Sequence, residues 1–182
     1  MKSNIPTELT TPWCRQILED PKTEIFDIPS AATETGIPDI SNSMFLRTLY
    51  KPDGIRAQIN FIRPTSQPEA VTGREFCYLM YIGDGLDGKT GRAHGGFNAL
   101  VLDHMCGWVA ATASSSRAPL TASLTIDYKA PIQTPGIIFC RGWLLEMSGR
   151  KTWIQSVIED EDGNVLAKGK ALFVTARDEV KI

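Results

Sequence analysis

The stretch Ala93 to Ala113, Ala-His-Gly-Gly-Phe-Asn-Ala-Leu-Val-Leu-Asp-His-Met-Cys-Gly-Trp-Val-Ala-Ala-Thr-Ala, is the longest segment of this chain that reads as one buried helix. At ~100° per residue, Asp103 shares a face with Gly96, Ala99, Cys106, Gly107 and Ala110, while Phe97, Val101, Met105 and Trp108 fall on the far side. A face of small residues lets a second helix or a ligand approach closely. A carboxylate on it is partly desolvated, which raises its pKa and suits it to base chemistry. The competing reading is an Asp held by a neighbouring donor, the usual state of a lone polar residue on an apolar helix.

Around this helix, 182 residues supply one domain with enough material for a core. A net charge of -2 with both signs interspersed gives no basic footprint for nucleic acid and no polybasic patch for a membrane. Cys14, Cys77, Cys106 and Cys140 are scattered, with no Cys-x-x-Cys pair and no apolar secretory segment ahead of them, so reduced thiols and a cytoplasmic location are expected. No apolar run approaches the ~20 residues that cross a bilayer.

In chain order, Thr11 to Leu18 reads as a short helix with Pro12 in its first turn, and residues 20–42 read as a surface wrap rich in Pro, Thr, Ser and Gly. A second short helix is expected over Asn42 to Tyr50, then a Lys51 to Gly54 turn and a strand over Ile55 to Ile62. Residues 63–73 read as a loop, Phe76 to Ile82 as a strand, and Gly83 to Gly91 as a mobile glycine-rich loop. After the long helix the period changes to two. Leu120 to Tyr128, Ile137 to Met147, Lys151 to Glu159 and Val165 to Thr175 read as strands separated by turn signals, an antiparallel meander of four. The implied class is α+β, with an N-terminal extension over 1–53, a main domain over 54–177 and a tail over 178–182.

Several motifs compete. Gly83 to Thr90 fits G-x-x-x-x-G-K-[ST], but a phosphate loop needs a helix starting at its Lys-Thr inside a parallel βαβ layout; here Gly91 and His94-Gly95-Gly96 break that helix. A nucleotide-binding module is therefore the runner-up. No Gly-x-Ser-x-Gly elbow exists, and His94 and His104 lack metal-ligand spacing, so neither a serine hydrolase nor a metal site is expected.

His94-Gly95-Gly96 followed by Asp103, then Thr121 to Pro131, Gly149-Arg150-Lys151, and Asp162-Gly163 leading to Leu166 to Gly169 together resemble the HGG-type, Asp-dependent acyl-CoA thioesterases of the hotdog superfamily. The resemblance covers roughly residues 75 to 175. It implies a hotdog fold, a curved antiparallel sheet wrapped around a long central helix, in homodimers or dimers of dimers with active sites at the subunit interface and no cofactor. Carried over by position, Asp103 is the general base or nucleophile and the Gly95 amide polarises the thioester carbonyl from the helix N-terminus, where unpaired amides carry positive dipole. Thr121 is implied as the partner subunit's polar contact to the carboxylate or the attacking water.

Gly96 and Asn98 are implied in substrate binding, and Lys129, Arg150 and Lys151 at the nucleotide end of coenzyme A. One position departs from the family: an Asn or Gln that orients water in some members is Gly88 here, which passes that role to Thr121 or His94. The rivals are a hotdog dehydratase, a non-catalytic acyl-CoA-binding protein and the nucleotide-binding module. The acyl group, and coenzyme A against a carrier protein's pantetheine arm, stay open.

Overall fold

The computed structural model describes residues 5–26, 43–114 and 119–177. Among them lie two α-helices, α1 (Pro12–Leu18) and α2 (Gly95–Ser114). The strands are β1 (Glu24–Phe26), β2 (Ile55–Pro64), β3 (Arg74–Ile82), β4 (Asp87–Lys89), β5 (Arg92–Ala93), β6 (Leu120–Tyr128), β7 (Gly136–Ser148), β8 (Lys151–Glu159) and β9 (Val165–Val174). Seven strands form one antiparallel sheet in the order β1-β2-β3-β7-β8-β9-β6. This order corrects the expected four-stranded meander. The chain does run β7-β8-β9 through short turns, but β6 pairs with β9 at the far side and has no contact register with β7.

Helix α2 lies on one face of the sheet, touching β3, β6, β7, β8 and β9. Its Val101, Leu102, Met105, Cys106 and Ala110 are wholly buried against Tyr78, Met80, Ile82, Ile138, Cys140, Ile154, Ile158 and Ala171. The proposed division into a bulky and a small face needs correcting here. Cys106 and Ala110 go into the core, whereas Ala99, Asp103 and Gly107 are only half-buried. A helix met by five strands buries more than half its circumference, so residue size alone does not mark the open side.

The N-terminal segment packs on the sheet's other face. Thr11 caps α1 by accepting from the Cys14 N–H at 3.3 Å, Pro12 starts the helix, and Cys14, Ile17 and Leu18 join Leu9 in a second core against Ala57, Ile59, Phe61, Cys77, Leu79 and Phe139. Beside this core Glu75, 1% exposed, receives Arg63 at 2.7 Å and Arg141 at 2.9 Å, and Arg141 also bonds Glu159 at 2.7 Å. Each buried charge thus has an opposite charge in hydrogen-bonding contact, the condition under which a carboxylate can be buried at all.

Three smaller expectations change. The second helix is a π-helical turn over Met44–Leu49 rather than an α-helix, and Asn42 lies outside the described residues. The expected surface wrap over 20–42 is described only to Phe26, where β1 joins the sheet edge and Phe26 stacks on Trp108 at 5.1 Å; the rest lies outside the described residues. The glycine segment is not plain loop: a 3-10 turn over Asp84–Leu86 leads into a short ribbon of β4 and β5, where Asp87 accepts from the Gly91 N–H at 2.8 Å and from the Thr134 hydroxyl. Among the described residues no helix is long and apolar enough to cross a membrane.

Candidate active site

The N-terminus of α2 has a single unclaimed amide where two were available. His94 is the residue before the helix, and its Nδ1 accepts from the Gly96 N–H at 2.8 Å, which leaves the proton of a neutral ring on Nε2. The His94 carbonyl takes the Phe97 N–H at 2.9 Å and the Asn98 N–H at 3.2 Å. The Gly95 N–H has no acceptor among the described residues. It carries the positive end of the helix dipole and points at no acceptor among the described residues. From the other side the Tyr128 hydroxyl donates to the Gly95 carbonyl at 3.0 Å and fixes this peptide against the end of β6.

Asp103 is half-buried eight residues further along. The Thr121 hydroxyl at the start of β6 donates to its Oδ1 at 3.0 Å. Burial raises the carboxyl pKa above its ordinary value of 3.8, and the Thr121 hydrogen bond opposes that shift. The contact is made within one chain, which corrects the expectation that Thr121 would reach the partner's carboxylate. β6 runs back alongside α2 to pair with β9, and so brings its first residues to the middle of the helix.

The departure at Gly88 has a steric cause. A Cβ on Gly88 would stand 2.9 Å from both Cα and Cδ2 of His94, so an amide side chain there and the imidazole in its present place exclude each other. Asn98 is 5% exposed, its Oδ1 has no partner among the described residues, and its side chain points into the protein rather than out beside Gly96.

The three basic residues expected at one nucleotide are not together. Lys129 follows the end of β6 and pairs with Asp127 at 3.5 Å, whereas Arg150 and Lys151 occupy the β7–β8 turn, in register with the Leu120 end of β6 through Val174. The length of β6, ~26 Å at 3.3 Å per residue, separates them. Arg150 donates to the Thr175 carbonyl at 2.9 Å, and Lys151 lies over the Trp153 ring at 5.9 Å.

Lys89 ends a strand and α2 starts only at Gly95, so Gly83 to Thr90 presents no helix N-terminus to a phosphate. Lys89→Ala is expected to leave any acyl-CoA hydrolysis within about twofold. Titration of both proteins with ATP checks it: submillimolar affinity lost in the variant would restore the nucleotide reading. Among the described residues no three His, Cys, Asp or Glu side chains converge as metal ligands.

Residues 90–167, which hold α2, β6, β7 and β8, match the family model of the thioesterase superfamily. The chain is 30% identical to the acyl-coenzyme A thioesterase THEM4 of Xenopus laevis over 76% of this chain and 60% of that protein. It is 33% identical to the THEM4 of Rattus norvegicus over 49% of this chain and 38% of that protein. The chain is similar to proteins of the thioesterase superfamily over these residues. It spans between about a third and two thirds of the length of these curated relatives, the shares being 38% and 60%.

A solved thioesterase superfamily protein superposes with a TM-score of 0.53 and 27% identity, covering 63% of this chain and 55% of that one. Zebra fish thioesterase superfamily member 2 shares the fold alone, with a TM-score of 0.53 and 13% identity over 63% of this chain and 81% of that one. The hotdog expectation therefore holds: a long central helix on an antiparallel sheet. The thioesterase superfamily match takes in His94, Gly95, Asp103, Thr121 and Lys129 and leaves α1, the Met44–Leu49 turn, β2 and β3 outside it.

Sequence reasoning missed Tyr128. Its place in the apolar alternation of β6 marks the side it faces, but the contact with Gly95 depends on how β6 lies along α2.

Proposed function

We propose that this chain is a hydrolase of acyl thioesters of coenzyme A or of a pantetheine arm, acting as a homodimer in the reducing cytoplasm, where its four buried thiols stay free. The observation that carries the reading is the pair on α2: an unclaimed Gly95 N–H and a half-buried, Thr121-bonded Asp103. Eight residues at 1.5 Å separate them by ~12 Å along the helix. A thioester carbonyl whose oxygen lies ~3 Å from the Gly95 N–H is therefore out of reach of the same chain's Asp103. The pair becomes one site when Gly95 is supplied by a second copy, with α2 and its twin antiparallel. Such a two-fold arrangement also brings the Lys129 end of one β6 toward the Arg150 and Lys151 end of the other, giving the nucleotide a basic surface from both subunits.

In this mechanism Asp103 takes a proton from water as the water oxygen bonds to the carbonyl carbon. The electron pair of the C=O bond moves to an oxyanion facing the Gly95 N–H, with the His94 ring at the same helix N-terminus. Collapse re-forms C=O and breaks C–S, and the thiolate leaves to be protonated. Direct attack by the Asp103 carboxylate uses the same geometry. Thr121 positions the carboxylate in either case. A thiol-release screen across straight-chain, branched and aryl acyl-CoAs tests the proposal: turnover of at least one class is expected, and silence across all of them would overturn it.

A further inference from the structure

Thr121 and Tyr128 stand seven residues apart on β6, yet both reach α2, Thr121 at the Asp103 carboxylate and Tyr128 at the Gly95 carbonyl. A regular strand does not allow this, because an odd separation puts two side chains on opposite faces. The strand is not regular. Its pairing with β9 runs in step from Tyr128 opposite Ala167 to Ser123 opposite Leu172 and then slips by one residue, so that Thr121 meets Phe173 and Ala122 is the extra residue of a bulge. Phe173 and Ala167 both belong to the core under α2, so the slip turns Thr121 to the helix side without turning Tyr128 away. A bulge interrupts the ladder and is found where it re-aims a side chain.

Tyr128 holds the loosest point of the helix. Gly95 and Gly96 lack the Cβ that restricts other residues, so the peptide between them is the freest to turn in α2. It is secured at both ends: its carbonyl accepts from the Tyr128 hydroxyl at 3.0 Å, and its N–H donates to His94 Nδ1 at 2.8 Å. A Cβ on Gly96 would stand 2.9 Å from that Nδ1, so the second bond needs the glycine. On the other side of the Gly95 Cα, the His94 carbonyl accepts from the Phe97 N–H at 2.9 Å and the Asn98 N–H at 3.2 Å. Both peptides that flank Gly95 are thus fixed, and with them the direction of its N–H.

We propose that Tyr128 is a positioning residue for thioester hydrolysis: its hydroxyl fixes the Gly95–Gly96 peptide so that the Gly95 N–H stays aimed at the developing oxyanion. The bulge at Ala122 lets one strand brace this amide and the Asp103 carboxylate at once. The inference rests on the thioesterase reading and adds a residue to it. An amide aimed in advance needs no reorganisation as charge develops, so the hydroxyl acts on kcat rather than on substrate binding.

Tyr128→Phe tests it, because it keeps the ring that lies against Gly95 and removes only the donor. On the fastest substrate of a panel of straight-chain, branched and aryl acyl-CoAs, kcat should fall ~3- to 10-fold, the size of one ordinary hydrogen bond, with KM within about twofold. The deciding measurement is a double-mutant cycle. On a Gly95→Pro background, which has no amide proton to aim, Tyr128→Phe should cost no further kcat. On a Thr121→Ala background its full cost should return, because Thr121 braces the carboxylate instead.

An equal loss on both backgrounds, a loss carried by KM alone, or a kcat equal to wild type would overturn the inference and leave the thioesterase reading standing. Release of thiol from no acyl-CoA would overturn both.

Discussion

Replacing Asp103 by Asn lowers thioester turnover by ~10²-fold or more while the fold persists, because the amide keeps the shape of the side chain but cannot take a proton. Thiol release measured beside the elution volume on gel filtration checks this, and near-normal turnover of the purified variant would remove Asp103 from the chemistry. The pH profile carries the sign. Asp103 must be ionised to act, so activity rises with pH through its folded pKa, and burial places that acidic limb above the ordinary 3.8. The Thr121 hydroxyl favours the charged form, so Thr121→Val moves the limb further up in pH. A limb that moves down, or stays where it was, would show that this hydroxyl does not act on the carboxylate.

Mixing damaged protomers gives a larger contrast. In the proposed two-fold site each thioester would meet Asp103 and Thr121 of one chain and Gly95 of the other. Gly95→Pro removes the amide proton at a first helical position, where proline is tolerated; Gly95→Ala retains it, and its Cβ would meet Tyr128 at an ordinary 3.5 Å. Asp103→Asn and Gly95→Pro protomers, unfolded together and reassembled, form mixed dimers in about half the molecules, each with one intact site, so activity returns to roughly a quarter of wild type. Asp103→Asn with Thr121→Ala regenerates nothing, because both losses fall on the same half of the site. Recovery in the second mixture and not in the first would invert the assignment of residues to subunits.

The long helix was legible because its apolar run admits only burial, and it spans Gly95–Ser114 against an expected Ala93 to Ala113. Six strands, β2, β3 and β6 to β9, were legible from alternation or an apolar run, to within two residues at their ends, whereas β1, β4 and β5 are too short to carry such a pattern and were read as wrap and loop. What the pattern did not hold was partnership. Turn signals around Thr134-Pro135-Gly136 mark a change of direction, but the residue sequence between β6 and β7 does not say whether the returning strand pairs there or at the other side of the sheet, and β9 takes that place. The Met44–Leu49 turn looks helical from its apolar spacing, which cannot separate a π-turn from an α-turn. At the site, Gly95 and Asp103 could be picked out on one helix. The Thr121 contact within the chain, the Tyr128 brace and the collision that keeps position 88 a glycine all depend on distances between segments remote in sequence.

The four cysteines turn the folded protein into its own silent background. Cys14, Cys77, Cys106 and Cys140 are each 1% exposed or less, and burial pushes every one of these thiols above its ordinary pKa, so little thiolate meets a disulfide reagent at neutral pH. A colorimetric reagent added to a mixture of the protein and an acyl thioester would therefore count released thiol, with the protein contributing nothing until it unfolds. When it does unfold, four equivalents per chain become titratable, and the same cuvette reports the loss of the native state.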